Sequence, residues 1–232
     1  MTTPTTTERT GEKRRRAQWP APAGLILLSL IPIIQGAFRL TELTGGTEIT
    51  LQNARFFGSP IPVVTHIVSG TVFALLGAFQ FVPSLRGRRA WHRIAGRVLI
   101  PAGLLAALSG LWMSLLYALP ESDGKLLLVF RLVFGSVMAA SIFFGIRAIR
   151  RRDFVSHSGW MTRAYALGVA AGTQAFVLAL WIIFVAPTDE TSRALLIGLA
   201  WVINLAVAEY IIHRGTVRSA RGARRASRQK PI

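Results

Sequence analysis

Apolar runs of about 20 residues alternate with short basic clusters along almost the whole chain. A helix needs about 20 mostly apolar residues to cross the hydrocarbon core of a bilayer, so each run predicts one membrane span. The pattern therefore predicts an all-α fold, a polytopic transmembrane helix bundle with six spans. We expect the spans at about residues 21–38, 62–84, 91–119, 126–149, 157–186 and 194–213.

The segments that flank this six-helix membrane domain (21–213) are polar or basic. Residues 1–20 contain many threonines and the basic cluster Lys13 to Arg16, with too little apolar surface to fold alone, so a disordered basic arm is predicted. Residues 214–232 form a basic tail. Between the first two spans, Leu40 to Pro62 combines glycines, prolines and charges, which is typical of a loop. This loop is long enough to cover the mouth of the bundle.

The distribution of Lys and Arg predicts the orientation, because these residues favour the cytoplasmic ends of spans. With both termini cytoplasmic, 22 of the 27 Lys and Arg residues lie in inner segments, 4 lie in outer segments, and Arg131 lies within a span. The densest cluster, from Arg86 to Arg97, joins the second and third spans and is expected in the cytoplasm. The same clusters predict anionic lipid headgroups as a partner of the protein.

Composition narrows the function classes. A net charge of +17 beside 52% hydrophobic residues is unusual for a soluble domain, and the segregation of basic clusters from apolar runs disfavours nucleic-acid binding. The absence of cysteine excludes disulfides, thiolate metal sites and a cysteine nucleophile. We find no HExxH pattern, Gly-rich phosphate loop or nucleophile elbow, so no metal site is predicted and no catalytic residue is assigned. Whether the protein is an enzyme stays open.

Four polar side chains are predicted at membrane depth, where an ionisable group costs about 2.5 to 3.5 kcal/mol. His66 and Arg131 each lie about five residues into a span, roughly 7 to 8 Å below the outer surface. Arg131 either snorkels to the outer headgroups or points inward at His66, Gln174 or a bound anion. The inward alternative requires a neutral His66 or a negatively charged ligand, because two cations repel each other. Asn204 lies near the middle of the sixth span.

A second polar group is predicted at the inner end of the bundle, where Glu209 can pair with His213 on its own helix or with an arginine across the bundle. His92 and His157 are either interfacial histidines among arginines or the axial ligands of one b-type haem, which two imidazoles at equal depth can hold. A quinone near this pair is the other cofactor considered. The remaining members of the group are Gln80, Arg97 and Arg163.

Small residues at helical spacing predict where the spans pack, because membrane helices associate where their backbones approach closely. Such stripes lie on the third span, from Gly96 to Ser114, and on the fifth, from Ala164 to Ala175. We expect these two spans in the middle of the bundle. The second span carries one stripe of mixed character, which is either a packing seam or the wall of a cavity. Its members are His66, Gly70, Phe73, Gly77, Gln80 and Ser84.

A constant offset of 65 residues relates spans two and three to spans four and five. It connects His66 with Arg131 and His92 with His157. The offset predicts a helical hairpin that is repeated in parallel, as in several membrane transporters. Three further pairs keep it: Gly70 and Gly135, Arg86 and Arg151, and Gly103 and Gly168.

Several segments together resemble the bacterial predicted membrane proteins grouped as domain of unknown function 2306. The resemblance extends from about Asn53 to Glu209 and rests on NARFFGSPIPVVTHIVSG, GAFQFVPSLRGRRAWHRIAGR, RLVFGSVMAA, IRRRDFVSHSGWMTRAYALG and WVINLAVAE. It implies a multi-pass protein of the bacterial cytoplasmic membrane, and it brings no established activity or cofactor. Ser158 replaces the basic residue that commonly follows the histidine in this pattern. The positions that match the family pattern are His66, Gln80, Arg86, His92, Arg97, His157, Trp160, Met161 and Arg163.

Three functions are consistent with these observations. The first is a bundle that holds one b-type haem or a quinone near His92 and His157, for electron transfer or oxidase assembly. The second is a small transporter for a polar or anionic solute, which uses the cavity of His66 and Arg131. Two observations disfavour a transporter. Transporters commonly contain interrupted spans, and here only Pro32 and Pro101 interrupt the predicted spans. Six helices are also few for a transporter unless the chain forms a homo-oligomer. The third is a non-enzymatic scaffold for a membrane partner protein.

Overall fold

A computed structural model describes residues 19–82, 89–120 and 122–228, of which 218–228 are described for their backbone only. The predicted arm before residue 19 and part of the first basic turn, including Arg86, Arg88 and Ser84, lie outside these residues. The described residues form helices and no strands, which confirms the all-α prediction. The helices are α1 (Pro20–Thr44), α2 (Ala54–Gly58), α3 (Pro60–Ala78), α4 (Arg89–Leu116), α5 (Lys125–Arg150), α6 (Phe154–Gly168), α7 (Ala170–Phe184) and α8 (Glu190–Arg228), with a 3₁₀ turn at Phe79–Phe81.

The predicted number of spans is confirmed, but one span is broken. Five helices, α1, α3, α4, α5 and α8, are long and apolar enough to cross a membrane. The pair α6 and α7 provides a sixth span that bends by 41° between Gly168 and Ala170. The statement that only Pro32 and Pro101 interrupt the spans is therefore wrong.

Two helices continue beyond their predicted ends. Helix α1 runs to Thr44 instead of about 38, because no glycine or proline occurs between Phe38 and Gly45 and because Arg39 and Glu42 form an ion pair one turn apart. Helix α8 runs through the predicted basic tail to Arg228, since that segment is rich in the strong helix formers Ala and Arg. The predicted loop also contains the short helix α2.

The centre of the bundle is built around Phe73, which is 2% exposed. A Cβ atom on Gly103 or Gly168 would lie 2.7 Å from its ring, so the absence of side chains at these two glycines makes room for the ring. The Tyr165 hydroxyl donates to the carbonyl oxygen of Ala74 at 2.9 Å. Helices α3, α4, α5 and α6 all contribute to this core. The inner part of the stripe on α3 is thus a packing seam.

Asn204 stabilises the break between α6 and α7. Its amide Nδ2 donates to the carbonyl oxygen of Ala166 at 2.9 Å, and its Oδ1 accepts from Thr173 Oγ1 at 2.9 Å. One side chain of α8 therefore bridges the last turn of α6 and the first turns of α7. Polar partners of this kind allow an interrupted helix at membrane depth. Asn204 lines neither of the cavities described below.

The repeat is visible in equivalent contacts. His92 Nδ1 lies 2.5 Å from Gln80 Oε1, and His157 Nδ1 lies 2.9 Å from the carbonyl oxygen of Gly145. Gln80 and Gly145 are themselves 65 residues apart in the sequence. The glycines that enclose Phe73, Gly103 and Gly168, keep the same offset. The hairpins α3–α4 and α5–α6 therefore use matching positions for matching contacts.

Candidate functional site: an axial cavity between the two hairpins

A cavity of about 390 Å³ lies between the two hairpins, and we call it the axial cavity. Its lining includes repeat-related pairs from both hairpins, such as His66 with Arg131 and Gly70 with Gly135. Phe73 and Met138 form the same kind of pair at its floor. The wall is largely apolar and includes the side chains of Leu111, Phe134, Leu167, Ile197 and Trp201. The part of the stripe on α3 from His66 to Phe73 is thus a cavity wall.

His66 is held in a defined orientation at the wall of the axial cavity. Its Nδ1 lies 2.9 Å from the carbonyl oxygen of Ala106 and 3.3 Å from Ser109 Oγ. A carbonyl oxygen only accepts hydrogen bonds, so Nδ1 carries a proton and Nε2 is the nitrogen that is left for other partners. The ring packs against Gly110, where a Cβ atom would lie 3.2 Å from its Cε1. Nε2 has no hydrogen-bond partner among the described residues.

Gln174 and Arg131 add polar groups to the same space. The Gln174 amide, on α7 after the break, lines the cavity and has no hydrogen-bond partner in the part of the chain that the structure describes. Arg131 lines the cavity and is about one third exposed. The three residues that the sequence analysis grouped at one depth, His66, Arg131 and Gln174, therefore line one cavity.

Arg131 is paired with an acid that the sequence analysis did not assign to the site. Its Nη2 donates to Asp123 Oδ2 at 2.7 Å, and Arg193 Nε donates to Asp123 Oδ1 at 3.0 Å. Asp123 is 6% exposed and lines the cavity. Burial alone would raise its pKa, but the charges and hydrogen bonds of Arg131 and Arg193 outweigh burial, so the pKa of Asp123 lies below its ordinary value. Two guanidinium groups thus share one carboxylate.

The long loop between α1 and α3 reaches the mouth of the axial cavity, as its length suggested. Arg55 and Phe56 of α2 line the mouth. Arg55 Nη1 donates to the carbonyl oxygen of Ala118 at 3.2 Å, and its guanidinium lies 4.7 Å from the ring centre of Phe56. The Tyr117 hydroxyl donates to the carbonyl oxygen of Ser59 at 2.5 Å. The mouth therefore carries three guanidinium groups, those of Arg55, Arg131 and Arg193, and one carboxylate that contacts two of them, that of Asp123.

The predicted inner polar group does not join this cavity. Arg163 forms a bidentate ion pair with Glu209 across the bundle, with Nη2 and Oε2 2.8 Å apart, and its guanidinium lies over Trp160. Glu209 thus uses the arginine alternative of the two that were predicted. Arg97 is exposed. None of the inner group, His92, His157, Gln80, Arg97, Arg163 and Glu209, lines the axial cavity.

No metal site is formed in the described segments, where no three His, Asp or Glu side chains are grouped to hold an ion. The residues that sequence reasoning missed are Asp123 and Arg55. Asp123 follows Glu121 and Ser122 in a short acidic turn that resembles an ordinary exposed connection. Its burial depends on Arg193, 70 residues later, which no local pattern reveals.

Comparison with known proteins supports the membrane assignment. No curated protein and no solved structure is detectably similar to this chain. Residues 63–212 match the family described as "Predicted membrane protein (DUF2306)", which covers more than half of the chain and confirms the resemblance seen in the sequence. The chain therefore belongs to the DUF2306 family of predicted membrane proteins.

Proposed function

We propose that the protein is a small-solute transporter whose binding site is the axial cavity, and that its solute is a small amphipathic molecule with an anionic head. The observation that carries this proposal is the composition of the cavity wall. Arg131 and the Gln174 amide line the cavity and can donate hydrogen bonds to an anionic head, and neither the Gln174 amide nor His66 Nε2, which accepts, has a partner among the described residues. The apolar remainder of the wall suits the body of such a solute.

The charges at the mouth favour an anion. Asp123 is the single carboxylate among the described lining residues, whereas Arg55 and Arg131 both line the cavity and Arg193 shares the same carboxylate. A carboxylate on the solute can replace Asp123 on Arg131 in the bidentate geometry that guanidinium groups favour. Asp123 then keeps Arg193 as its partner, so no buried charge is left alone.

Transport, rather than binding alone, is supported by the broken span at the cavity floor. Binding sites of secondary transporters commonly lie between structural repeats, next to discontinuous helices. Here Gly168, Ala171 and Gln174 line the cavity on both sides of the break between α6 and α7. We expect a homo-oligomer in the bacterial cytoplasmic membrane, with both termini in the cytoplasm, because six spans are few for a transporter. Protease cleavage of the tail in sealed right-side-out vesicles would contradict this orientation.

The test compares two arginines that share Asp123. Arg131 lines the cavity and Arg193 does not, although both donate to the same carboxylate. We expect calorimetric binding of octanoate, and its uptake into proteoliposomes, to be lost in Arg131→Gln and kept in Arg193→Gln. Octanol, which lacks the charge, should bind at least about tenfold more weakly, since one charged contact is worth about 1.5 kcal/mol or more. Equal octanoate binding by the two variants would contradict the proposal.

A second candidate is one b-type haem held by His92 and His157. Its support is that the Nδ1 atoms of the two histidines each lie within hydrogen-bond distance of an oxygen at a repeat-equivalent position, Gln80 and Gly145. Neither histidine lines either of the two cavities described. After expression with added haem, a Soret band that disappears in His92→Ala and in His157→Ala would favour this candidate. A spectrum without the band would exclude it.

A further inference from the structure

A second cavity of about 120 Å³ lies beside the axial cavity, between α1 and the helices α3 and α7. We call it the side chamber. Helix α1 contributes Ser29, Pro32 and Ile33 to its wall, and α3 contributes Thr71. Four residues line both spaces: His66, Gly70, Gly168 and Ala171.

The wall between the two spaces is open at Gly70. A Cβ atom on Gly70 would meet no other atom within 4 Å, although this residue lies in the middle of α3. At Gly168, in contrast, a Cβ atom would lie 2.7 Å from the ring of Phe73. Phe73 therefore fills the space beside Gly168, whereas the space beside Gly70, which lines both cavities, is open.

Two close contacts of α1 bracket the side chamber. A Cβ atom on Gly172 would lie 2.0 Å from the carbonyl oxygen of Leu28, and one on Gly36 would lie 2.8 Å from Ile67. Between Leu28 and Gly36, a distance of about 12 Å along the helix, α1 carries Pro32, whose ring nitrogen cannot donate to the carbonyl of Leu28. Only 6% of the most apolar segment of α1 is buried by the rest of the protein. The helix therefore separates the side chamber from lipid over a segment held at its two ends.

We propose that the solute of the axial cavity enters from the bilayer, between the two contacts of α1, through the side chamber and past Gly70. This proposal rests on the proposed function and names the solute class: a membrane-soluble acid with an alkyl chain. Most of the residues that line the side chamber are apolar, which suits the alkyl chain. Arg131, in the axial cavity, then receives the anionic head.

The experiment uses the absence of cysteine from the chain. In a Thr71→Cys variant in lipid nanodiscs, N-ethylmaleimide blocks the side chamber after the protein has folded. The same sample is measured before and after modification, so a difference between the two measurements is not caused by a folding defect of the variant. Ser136, the repeat counterpart of Thr71, lines neither cavity, and Ser136→Cys is the matched control. The probes are a nitroxide-labelled long-chain fatty acid, which partitions into lipid, and benzoate, which reaches the mouth from water. Quenching or shift of tryptophan fluorescence that is absent in Trp201→Phe reports both, because Trp201, one of six tryptophans, lines the axial cavity.

We expect modification of Thr71→Cys to slow association of the fatty acid at least about tenfold while benzoate binding stays within about twofold, and modification of Ser136→Cys to change neither. An unchanged fatty-acid rate, or an equal loss of both probes, would overturn the lateral route. Wild-type protein that binds neither probe would instead refute the proposed function itself. The two failures are therefore distinguishable.

Discussion

Replacing Asp123 by Asn tests whether the shared carboxylate holds the outer end of the bundle together. Asp123 joins the turn before α5 to Arg131 on α5 and to Arg193 on α8. Removal of one partner from a buried ion pair costs about 3–5 kcal/mol, and an exposed pair contributes about 0–1 kcal/mol. Asp123 is 6% exposed and its arginines are 30% and 34% exposed, so an intermediate loss of about 2 kcal/mol is expected.

The assay is equilibrium unfolding of the purified protein in mixed micelles with increasing dodecyl sulfate, followed by circular dichroism. A loss of about 2 kcal/mol corresponds to a roughly 30-fold change in the unfolding equilibrium constant. Glu42→Gln is the matched control, because its pair with Arg39 is one helical turn long and more exposed, and we expect a loss below about 0.5 kcal/mol. The double variant Asp123→Asn with Arg193→Gln should recover part of the stability. Equal stability of Asp123→Asn and Glu42→Gln would refute this account of the outer end.

Three further predictions follow from individual contacts. Because the pKa of Asp123 is lowered in the folded state, its stabilising contribution is complete above the ordinary Asp pKa of about 4 and is lost as the pH falls through the lower folded value; unfolding of wild type and Asp123→Asn should therefore converge at acidic pH. Asn204→Leu removes two hydrogen bonds at the break and should destabilise the protein by about 1–2 kcal/mol in the same unfolding assay; a loss no larger than that of Glu42→Gln would contradict the role of Asn204. Gly172→Val places atoms against the Leu28 carbonyl and should cost about 1–3 kcal/mol, whereas Gly24→Val, in open space, should be neutral; similar effects of the two would contradict the close contact of α1.

The fold was largely predictable because the physics of a bilayer acts on simple patterns. Apolar run lengths predicted the spans, and the offset of 65 residues predicted a repeated hairpin, in which Gln80 and Gly145 are the equivalent positions that contact His92 and His157. Other features depend on partners distant in the chain. The break after Gly168 carries no proline and is stabilised by Asn204, 36 residues later. A helical continuation through residues 214–228 is equally hidden, since a basic tail has the same composition whether it is helical or not.

The candidate site was predictable in part for the same reason. His66, Arg131 and Gln174 could be grouped because depth in a membrane follows from position in a span. All three residues line one cavity because they lie at the same depth, and the repeat places His66 and Arg131 at equivalent positions. Asp123 could not be grouped with them, because it lies outside the spans and its burial is produced by Arg193 and by the packing of Glu190 against Gly124. The periodic spacing of residues within one segment does not reveal which side chains of distant segments will pair.

The position of Phe73 between Gly103 and Gly168 limits how similar the two hairpins can become. The two glycines are 65 residues apart and occupy equivalent positions in the two hairpins, and the one ring of Phe73 fills the space beside both of them. The residue at the equivalent position of the second hairpin is Met138, whose unbranched side chain is narrower than a phenyl ring and leaves this space to Phe73. Phenylalanines at both of these equivalent positions would compete for the same space. The two hairpins therefore have to differ at this one pair of positions for steric reasons.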